Sequence, residues 1–161
     1  MSITMQQVLA EIDREEPNYA AFAALGADAL PHLQMIVEAN DPLRSAKAAY
    51  AASMIGGSGA IKLLQAASDH HEPQVRMAVA QGLQNLAKAT PSDLVLKSLG
   101  DVDPGVRKLA LRTAGQLKRP EFAATVLNMQ KSDPADHLRS AAGVAAKLFK
   151  IKVPVKVAPK K

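Results

Sequence analysis

The sequence has no cysteine and no tryptophan, and aromatic residues make up only 3% of its 161 positions. The lack of cysteine excludes disulfides, thiolate nucleophiles and cysteine-based zinc or iron–sulfur sites. Because aromatic side chains are so few, the 48% of hydrophobic residues must consist largely of Ala, Leu, Val, Ile and Met. A core of such small side chains favours closely packed helices over β-sandwiches. These absences together indicate an all-α protein.

Long apolar runs are also missing. Residues 1–16 have no basic lead-in and carry four acidic residues, so we expect no secretory signal there. Every longer apolar stretch is interrupted by Gly, Pro, Asp or Lys before it reaches the roughly 18 residues that a membrane span requires. We therefore expect a soluble, cytoplasmic protein whose length suits a single domain.

The positive charge of the chain is concentrated at its end. The net charge is +5, but residues 147–161 hold six lysines and no acid, while residues 1–146 sum to −1. The high isoelectric point therefore does not by itself indicate a basic patch on the folded body. Residues 150–161, KIKVPVKVAPKK, alternate apolar residues with lysine and contain two prolines. This composition predicts an extended or disordered tail after a folded body of residues 1–149.

An internal repeat dominates the body of the chain. Four segments align, each with an acid and a proline followed by an arginine and an Ala-rich stretch: DPLRSAKAAYAASM, EPQVRMAVAQGLQNL, DPGVRKLALRTAGQL and DPADHLRSAAGVAAKLF. Their prolines are spaced by 31, 31 and 30 residues, and their arginines by 32, 31 and 32. A fixed period of this length is typical of helical repeat proteins.

Each repeat has the residues that start a helix. An acid at the N-cap accepts hydrogen bonds from free backbone N–H groups, and proline at the first helical position loses nothing by lacking its own N–H. We therefore predict that each acid–proline pair begins a helix. The departure at Glu72 retains an acid, so capping should be preserved there.

Shorter apolar segments between these helices predict the first helix of each hairpin, with the acid–proline helix as the second. Residues 1–25 are predicted to form a shorter and more polar N-terminal capping hairpin, since terminal repeats have one face in water. The sequence thus predicts a right-handed α-solenoid of about five hairpins and ten helices.

The DPxVRxxA pattern resembles the HEAT-like repeats of the phycobiliprotein-lyase type, over roughly residues 26–149. The resemblance implies a helical solenoid and says little about function, since such repeats occur in bilin lyases, scaffolds, adaptors and a few enzymes. It also implies a structural ladder between neighbouring units, formed by the aspartates that open the second helices and the arginines that follow. The implied ladder residues are Asp41, Arg44, Arg76, Asp103, Arg107, Asp133 and Arg139.

Catalytic chemistry has little support in the sequence. The densest group of ionisable residues, Asp69-His70-His71-Glu72, lies in the predicted loop between two helices. Adjacent side chains on one loop seldom converge on a metal ion, so we interpret this group as a solvated loop whose Glu72 caps the next helix. No nucleophile motif, phosphate-binding loop or cofactor motif is recognisable. We expect a non-enzymatic protein without a cofactor.

The predicted binding surface is the concave face formed by the second helices. Taking the position after each arginine, and those one and two turns further on, gives Ser45, Ala49 and Ser53, Met77, Gln81 and Gln84, Lys108, Arg112 and Gln116, and Ser140, Val144 and Lys147. With Tyr50 added, the candidate partner-binding residues are Tyr50, Met77, Gln81, Gln84, Lys108, Arg112, Gln116 and Lys147. Residues 88–119 carry a local charge of +4, which suits an acidic protein surface.

The first functional hypothesis is therefore an adaptor or scaffold that binds a protein partner on this face. An accessory bilin-lyase-like or chaperone protein, acting on a cofactor-bearing partner, is the alternative that the resemblance implies. A further alternative is electrostatic binding of nucleic acid through the tail, which the folded body does not otherwise favour.

Overall fold

The computed structural model describes residues 2–149 of the chain. The predicted basic tail, residues 150–161, lies outside the described residues. Over the described part the protein is all-α, as predicted, with ten α-helices and no strand. The helices are α1 Met5–Ile12, α2 Tyr19–Leu25, α3 Leu30–Glu38, α4 Pro42–Ile55, α5 Gly57–Ala67, α6 Pro73–Gly82, α7 Ser92–Leu99, α8 Pro104–Leu117, α9 Ala123–Ser132 and α10 Asp136–Leu148. Short 3-10 segments at Ala27–Ala29, Leu83–Ala89 and Pro120–Phe122 connect successive hairpins.

The helices stack as two layers. The second helices of successive units, α2, α4, α6, α8 and α10, pack against one another in chain order. Behind them, α3 packs on α5 and α7 packs on α9, and the core is buried between the layers. The predicted N-terminal hairpin is less distinct, since α1 packs on α3 and α4 while α2 packs mainly on α4.

Capping follows the prediction at two of the four repeats. The Asp41 carboxylate accepts from the backbone N–H groups of Leu43 and Arg44, both at 3.1 Å. Asp103 accepts in the same way from Gly105 at 2.7 Å and Val106 at 3.2 Å. Both aspartates therefore stabilise the positive end of a second helix.

At the Glu72 repeat the helix begins at Pro73 as predicted but the predicted cap is missing, and at the Asp133 repeat the predicted helix start is wrong. Glu72 precedes α6, but its side chain makes no capping hydrogen bond and lies 3.5 Å from the His71 ring instead. Asp133 and Pro134 do not begin a helix, because α10 starts at Asp136 with Ala135 in the N-cap position. The last repeat thus enters its helix two residues later than the sequence alignment suggested.

Two arginines join neighbouring units through paired hydrogen bonds. Arg76 Nε and Nη2 donate to the two carboxylate oxygens of Asp101 at 2.8 and 3.1 Å. Arg107 does the same to Asp133, at 2.9 and 3.0 Å. The remaining Nη1 of each arginine donates to carbonyls of its own loop, from Arg76 to His70 at 2.8 Å and from Arg107 to Asp101 at 3.0 Å. Each guanidinium therefore holds two consecutive loops together.

Of the three aspartates that the resemblance implied, Asp133 belongs to this ladder, while the partner of Arg76 is Asp101 instead of Asp103. Asp101 lies six residues before Arg107, and Asp133 lies six residues before Arg139. Both also accept a hydrogen bond at 2.9 Å from the backbone N–H two residues on, Asp101 from Asp103 and Asp133 from Ala135. Asp133 is therefore the structural counterpart of Asp101, whereas the capping residue Asp103 makes no hydrogen bond or ion pair with an arginine in the described residues.

Arg44 departs from the ladder. Its guanidinium binds Asp13 of the preceding unit, with two contacts of 2.8 Å, instead of the unit that follows. Arg44 stands two residues after its proline, while Arg76 and Arg107 stand three residues after theirs. One residue rotates a helical side chain by about 100°, which directs Arg44 to the other side of α4.

The other position that breaks the ladder is His70. It lies six residues before Arg76, where Asp101 and Asp133 stand in the later units, and its Nδ1 accepts from the Glu72 N–H at 3.1 Å. A neutral imidazole thus occupies a carboxylate position. At the last unit, Arg139 forms its ion pair with Asp136 of its own helix.

Close packing joins the second and third units where the ion pair is missing. A Cβ atom at Gly82 of α6 would lie 2.8 Å from the Ser53 Cβ of α4, so only glycine permits this approach. Asn85 Nδ2 donates to the Ser53 hydroxyl at 3.0 Å. Ala48, Ala49 and Ala52 are fully buried in α4. Small side chains thus replace the electrostatic link at this junction.

Removing a buried arginine of the ladder should cost far more than removing the exposed one. The Asp133 side chain is 2% exposed, so Arg107→Ala would leave a buried carboxylate without its guanidinium and lower the free energy of unfolding by about 3 kcal/mol. The Arg44 and Asp13 side chains are 47% and 44% exposed, so Arg44→Ala should cost much less. Urea unfolding of both variants tests this ranking, and equal losses would contradict it.

The same ion pairs should make the fold sensitive to acid. Burial alone would raise the pKa of Asp133, but the hydrogen bonds from Arg107 and the Ala135 N–H outweigh it and hold that pKa below the ordinary 3.8. The pair therefore stabilises the fold fully above the unfolded-state pKa, and this contribution is lost as the pH falls through the lowered folded-state pKa. We expect the free energy of unfolding to drop below about pH 4. Asp133→Asn should be less stable at neutral pH and should show a smaller drop.

Candidate partner-binding surface

The structure places the predicted surface residues unevenly. Those of α8 and α10 are exposed, and Met77 and Gln81 of α6 and Gln84 of the 3-10 segment that follows are half-buried. The three predicted for α4, Ser45, Ala49 and Ser53, are buried. Ser45 Oγ donates to the Val37 carbonyl of α3 at 3.0 Å, so this side of α4 faces the core.

The prediction for α4 names residues that lie one position before the outward-facing ones. It counts from Arg44, and this arginine follows its proline by one residue fewer than Arg76 and Arg107 do. Aligning on the prolines instead puts Ala46 and Tyr50 in the places of Met77 and Gln81. These two residues do lie on the outer side of α4, where they line a groove.

The first groove, here called the α4–α6 groove, has a volume of about 440 Å³. It includes three predicted residues, Tyr50, Met77 and Gln81. Its other lining residues are Tyr19, Leu43, Ala46, Lys47, Gln74, Ala78 and Leu109. The rings of Tyr19 and Tyr50 meet edge to face with centroids 4.7 Å apart. Lys47 adds little free charge, because its Nζ donates to the carbonyls of Ile12 at 3.2 Å and Arg14 at 3.1 Å.

The second groove, the α8–α10 groove, is larger, with a volume of about 760 Å³. It contains four residues of the predicted surface, Lys108, Arg112, Gln116 and Val144. Its other lining residues are Leu111, Gly115, Lys118, Ala141, Ala145 and Leu148. A Cβ at Gly115 would lie 3.3 Å from Leu148 Cδ1, so the glycine leaves room for this leucine at the floor.

Two of the eight candidate partner-binding residues lie outside both grooves. Gln84 is half-buried, and its side-chain oxygen is buried without a hydrogen-bond partner. Lys147 is exposed on α10 but lines neither groove. Sequence reasoning missed Leu43, Leu111, Lys118 and Leu148, although the spacing of Leu148 seven residues after Ala141 is a signal that the periodicity of α10 could have supplied.

Some of the basic residues between positions 88 and 119 are bound by other groups of the protein, and some are not. Arg107 is paired with Asp133, and Lys97 is paired with Asp69. Arg119 donates to backbone carbonyls, including that of Ala87 at 2.9 Å. Within the described residues, the cations of this interval that make no ion pair or hydrogen bond are Lys88, Lys108, Arg112 and Lys118. Three of these four line the α8–α10 groove.

The histidine loop forms no metal site: no group of three or more potential ligands occurs in residues 2–149. Asp69 and His71 are exposed, as predicted for a solvated loop, but His70 is half-buried. Its ring stacks on His71 with centroids 4.5 Å apart. Because Nδ1 accepts from the Glu72 N–H, the ring proton must lie on Nε2, which is buried without a partner.

The two layers of hairpins and the grooves along the second helices define a helical solenoid. A family model for HEAT repeats matches residues 62–147, more than half of the chain. The protein therefore belongs to the HEAT repeat family. This match confirms the HEAT-like repeat, while the phycobiliprotein-lyase type stays an expectation. No curated protein matches the chain.

In the described part of the chain, no single helix is both long enough and apolar enough to cross a membrane. The pair Tyr19–Leu25 and Ala27–Glu38, bent by 102°, meets these criteria only when taken together.

The His70 ring should remain neutral, with its proton on Nε2, as the pH is lowered below 6.5. The pKa of His70 lies below this ordinary value, mainly because the ring is partly buried and secondly because His71 is close to it. The unfolded chain then binds the proton first, so the free energy of unfolding decreases as the pH falls from 6.5 towards the lowered folded-state pKa. Two-dimensional 15N NMR of the imidazoles checks both points, with His70→Gln identifying the signals. A proton on Nδ1 would contradict the assignment.

Proposed function

We propose that this chain is a non-enzymatic interaction module that binds a protein partner on the face formed by its second helices. The observation that carries the proposal is the presence of two open, largely apolar grooves on one layer of the solenoid. HEAT repeats generally mediate protein–protein interaction, and the concave side of such solenoids is the usual extended binding surface.

The composition of the grooves supports binding of a protein. Large apolar side chains stand partly in solvent there, with Leu43 66% exposed, Val144 64% and Leu148 47%. Burying such a side chain fully contributes about 2 kcal/mol. Polar residues such as Gln81 and Gln116 surround the apolar ones. An apolar centre with a polar rim is the usual anatomy of a protein interface.

The lining residues also favour binding over catalysis. No carboxylate and no imidazole lines either groove within residues 2–149. Carboxylates and imidazoles are the side chains most often used in general acid–base catalysis. The tyrosines, lysines and glutamines that are present can position a partner without reacting with it.

Capture from a native cell extract tests this function. The immobilised protein should retain a stoichiometric protein partner, and the double variant Leu43→Glu/Val144→Glu should lose most of it, because a carboxylate is placed in each groove. The matched control is Met35→Glu/Val102→Glu, at residues that are 60% and 89% exposed and lie outside both grooves. Partner yield is measured by quantitative mass spectrometry.

Circular dichroism and urea unfolding must show that both double variants are folded. Loss of the partner by the control to the same degree would contradict the assignment of the second-helix face. So would unchanged capture by the groove variant. The single variants Leu43→Glu and Val144→Glu show which of the two grooves the partner occupies.

A further inference from the structure

We infer that the α8–α10 groove binds an acidic, amphipathic segment of a partner protein, with its carboxylates on Lys108, Arg112 and Lys118 and its apolar side chains on the groove floor. This inference rests on the proposed function, and it specifies the chemistry of the partner at one of the two grooves.

The charges of the groove favour an acidic partner. Most other cations of this region are already engaged: Arg107 by Asp133, Lys97 by Asp69, and Arg119 by backbone carbonyls. Lys108, Arg112 and Lys118 form no ion pair in the described part of the chain, and no acid lines the groove beside them. Three uncompensated positive charges around an apolar floor favour a partner of negative charge.

The two helices present different chemistry to the groove. On α8, Lys108 and Arg112 are one turn apart and form a cationic ridge. On α10, Ala141, Val144, Ala145 and Leu148 follow the i, i+3, i+4, i+7 spacing of a single apolar stripe. A segment lying between these helices meets cations on one side and aliphatic groups on the other.

The length of the groove suits a short helix. Lys108 and Lys118 are ten residues apart in the sequence, which corresponds to about 15 Å along a helix. About three turns of a partner helix would cover this distance. Docking of an amphipathic helix through its i, i+3, i+4 and i+7 side chains is a common mode of recognition in grooves of this kind.

Other occupants fit less well. The chain's own C-terminal segment, residues 150–161, has only lysines as charged residues, so like charges oppose its binding. Nucleic acid would find cations but no aromatic side chain on which a base could stack. In a second copy, Asp13 is already held by Arg44 and Glu11 lies 3.4 Å from Arg14. Glu15 and Glu16 of the same loop remain, but residues 13–18 are not helical and offer no apolar stripe for the groove floor.

The test uses a fluorescein-labelled helical peptide of about 14 residues, with leucines along one stripe and glutamates beside it. Control peptides replace all glutamates by lysine or all leucines by serine, and a thymidine oligonucleotide of similar length represents nucleic acid. Fluorescence anisotropy with the full-length protein should show saturable binding of the glutamate–leucine peptide. Each of the other probes should bind at least about tenfold more weakly.

Variants of the protein then locate the site. Lys108→Glu/Arg112→Glu should weaken binding of the glutamate–leucine peptide at least about tenfold. The matched control, Lys62→Glu/Lys131→Glu, reverses two exposed charges on the first helices α5 and α9 and should leave the affinity within about twofold. Val144→Ser should weaken binding, whereas Val102→Ser, at an exposed valine in the α7–α8 loop, should not.

Several results would overturn the inference. These are absence of saturable peptide binding, equal binding of the glutamate and lysine peptides, preference for the oligonucleotide, or binding that survives Lys108→Glu/Arg112→Glu. Self-association by sedimentation that this double variant abolishes would identify a second copy as the occupant. Capture lost with Leu43→Glu but kept with Val144→Glu would overturn this inference and leave the proposed function intact.

Discussion

The stacking of this solenoid depends on a guanidinium group that binds two loops at once. In Arg76 and Arg107, two nitrogens bind the aspartate of the next unit and the third binds carbonyls of the same unit. Because the guanidinium is planar and its donors are fixed, this arrangement sets the distance and the rotation between units. The α8–α10 groove lies between two helices whose relative position is set by the Arg107–Asp133 pair.

The second and third units show how the fold is maintained where this link is absent. Arg44 is directed backwards to Asp13, and His70 stands where the later units carry aspartate. The helices α4 and α6 approach closely instead, at a contact that Gly82 and Ser53 permit. A contact between small uncharged residues contains no titratable group, so this junction is not expected to respond to acid as the later ones do.

The same ion pairs decide which charges remain for binding. A local charge of +4 between residues 88 and 119 does not mean four cations on one surface, since arginines such as Arg107 and Arg119 are bound inside the structure. What remains is concentrated beside the apolar stripe of α10. The ladder arginines are bound within the protein and are not available to a partner. The basic side chains that are available are mainly other ones, Lys108 and Arg112 among them, and they form the proposed partner surface.

The sequence by itself determined the repeat, the all-α class, the helix starts at Pro42, Pro73 and Pro104, and the exposed face of α8, because these depend on local spacing, capping and periodicity. Only the tertiary structure decided that Asp101 rather than Asp103 binds an arginine, and that Ser45 and Ala49 are buried. The physical reason is rotational. One residue turns a helical side chain by about 100°. The distance from proline to arginine is one residue shorter in Pro42–Arg44 than in Pro73–Arg76, so the two arginines lie on different faces of their helices. Ion pairs between residues 25 to 31 positions apart in the chain are set by packing across units, which no local pattern encodes.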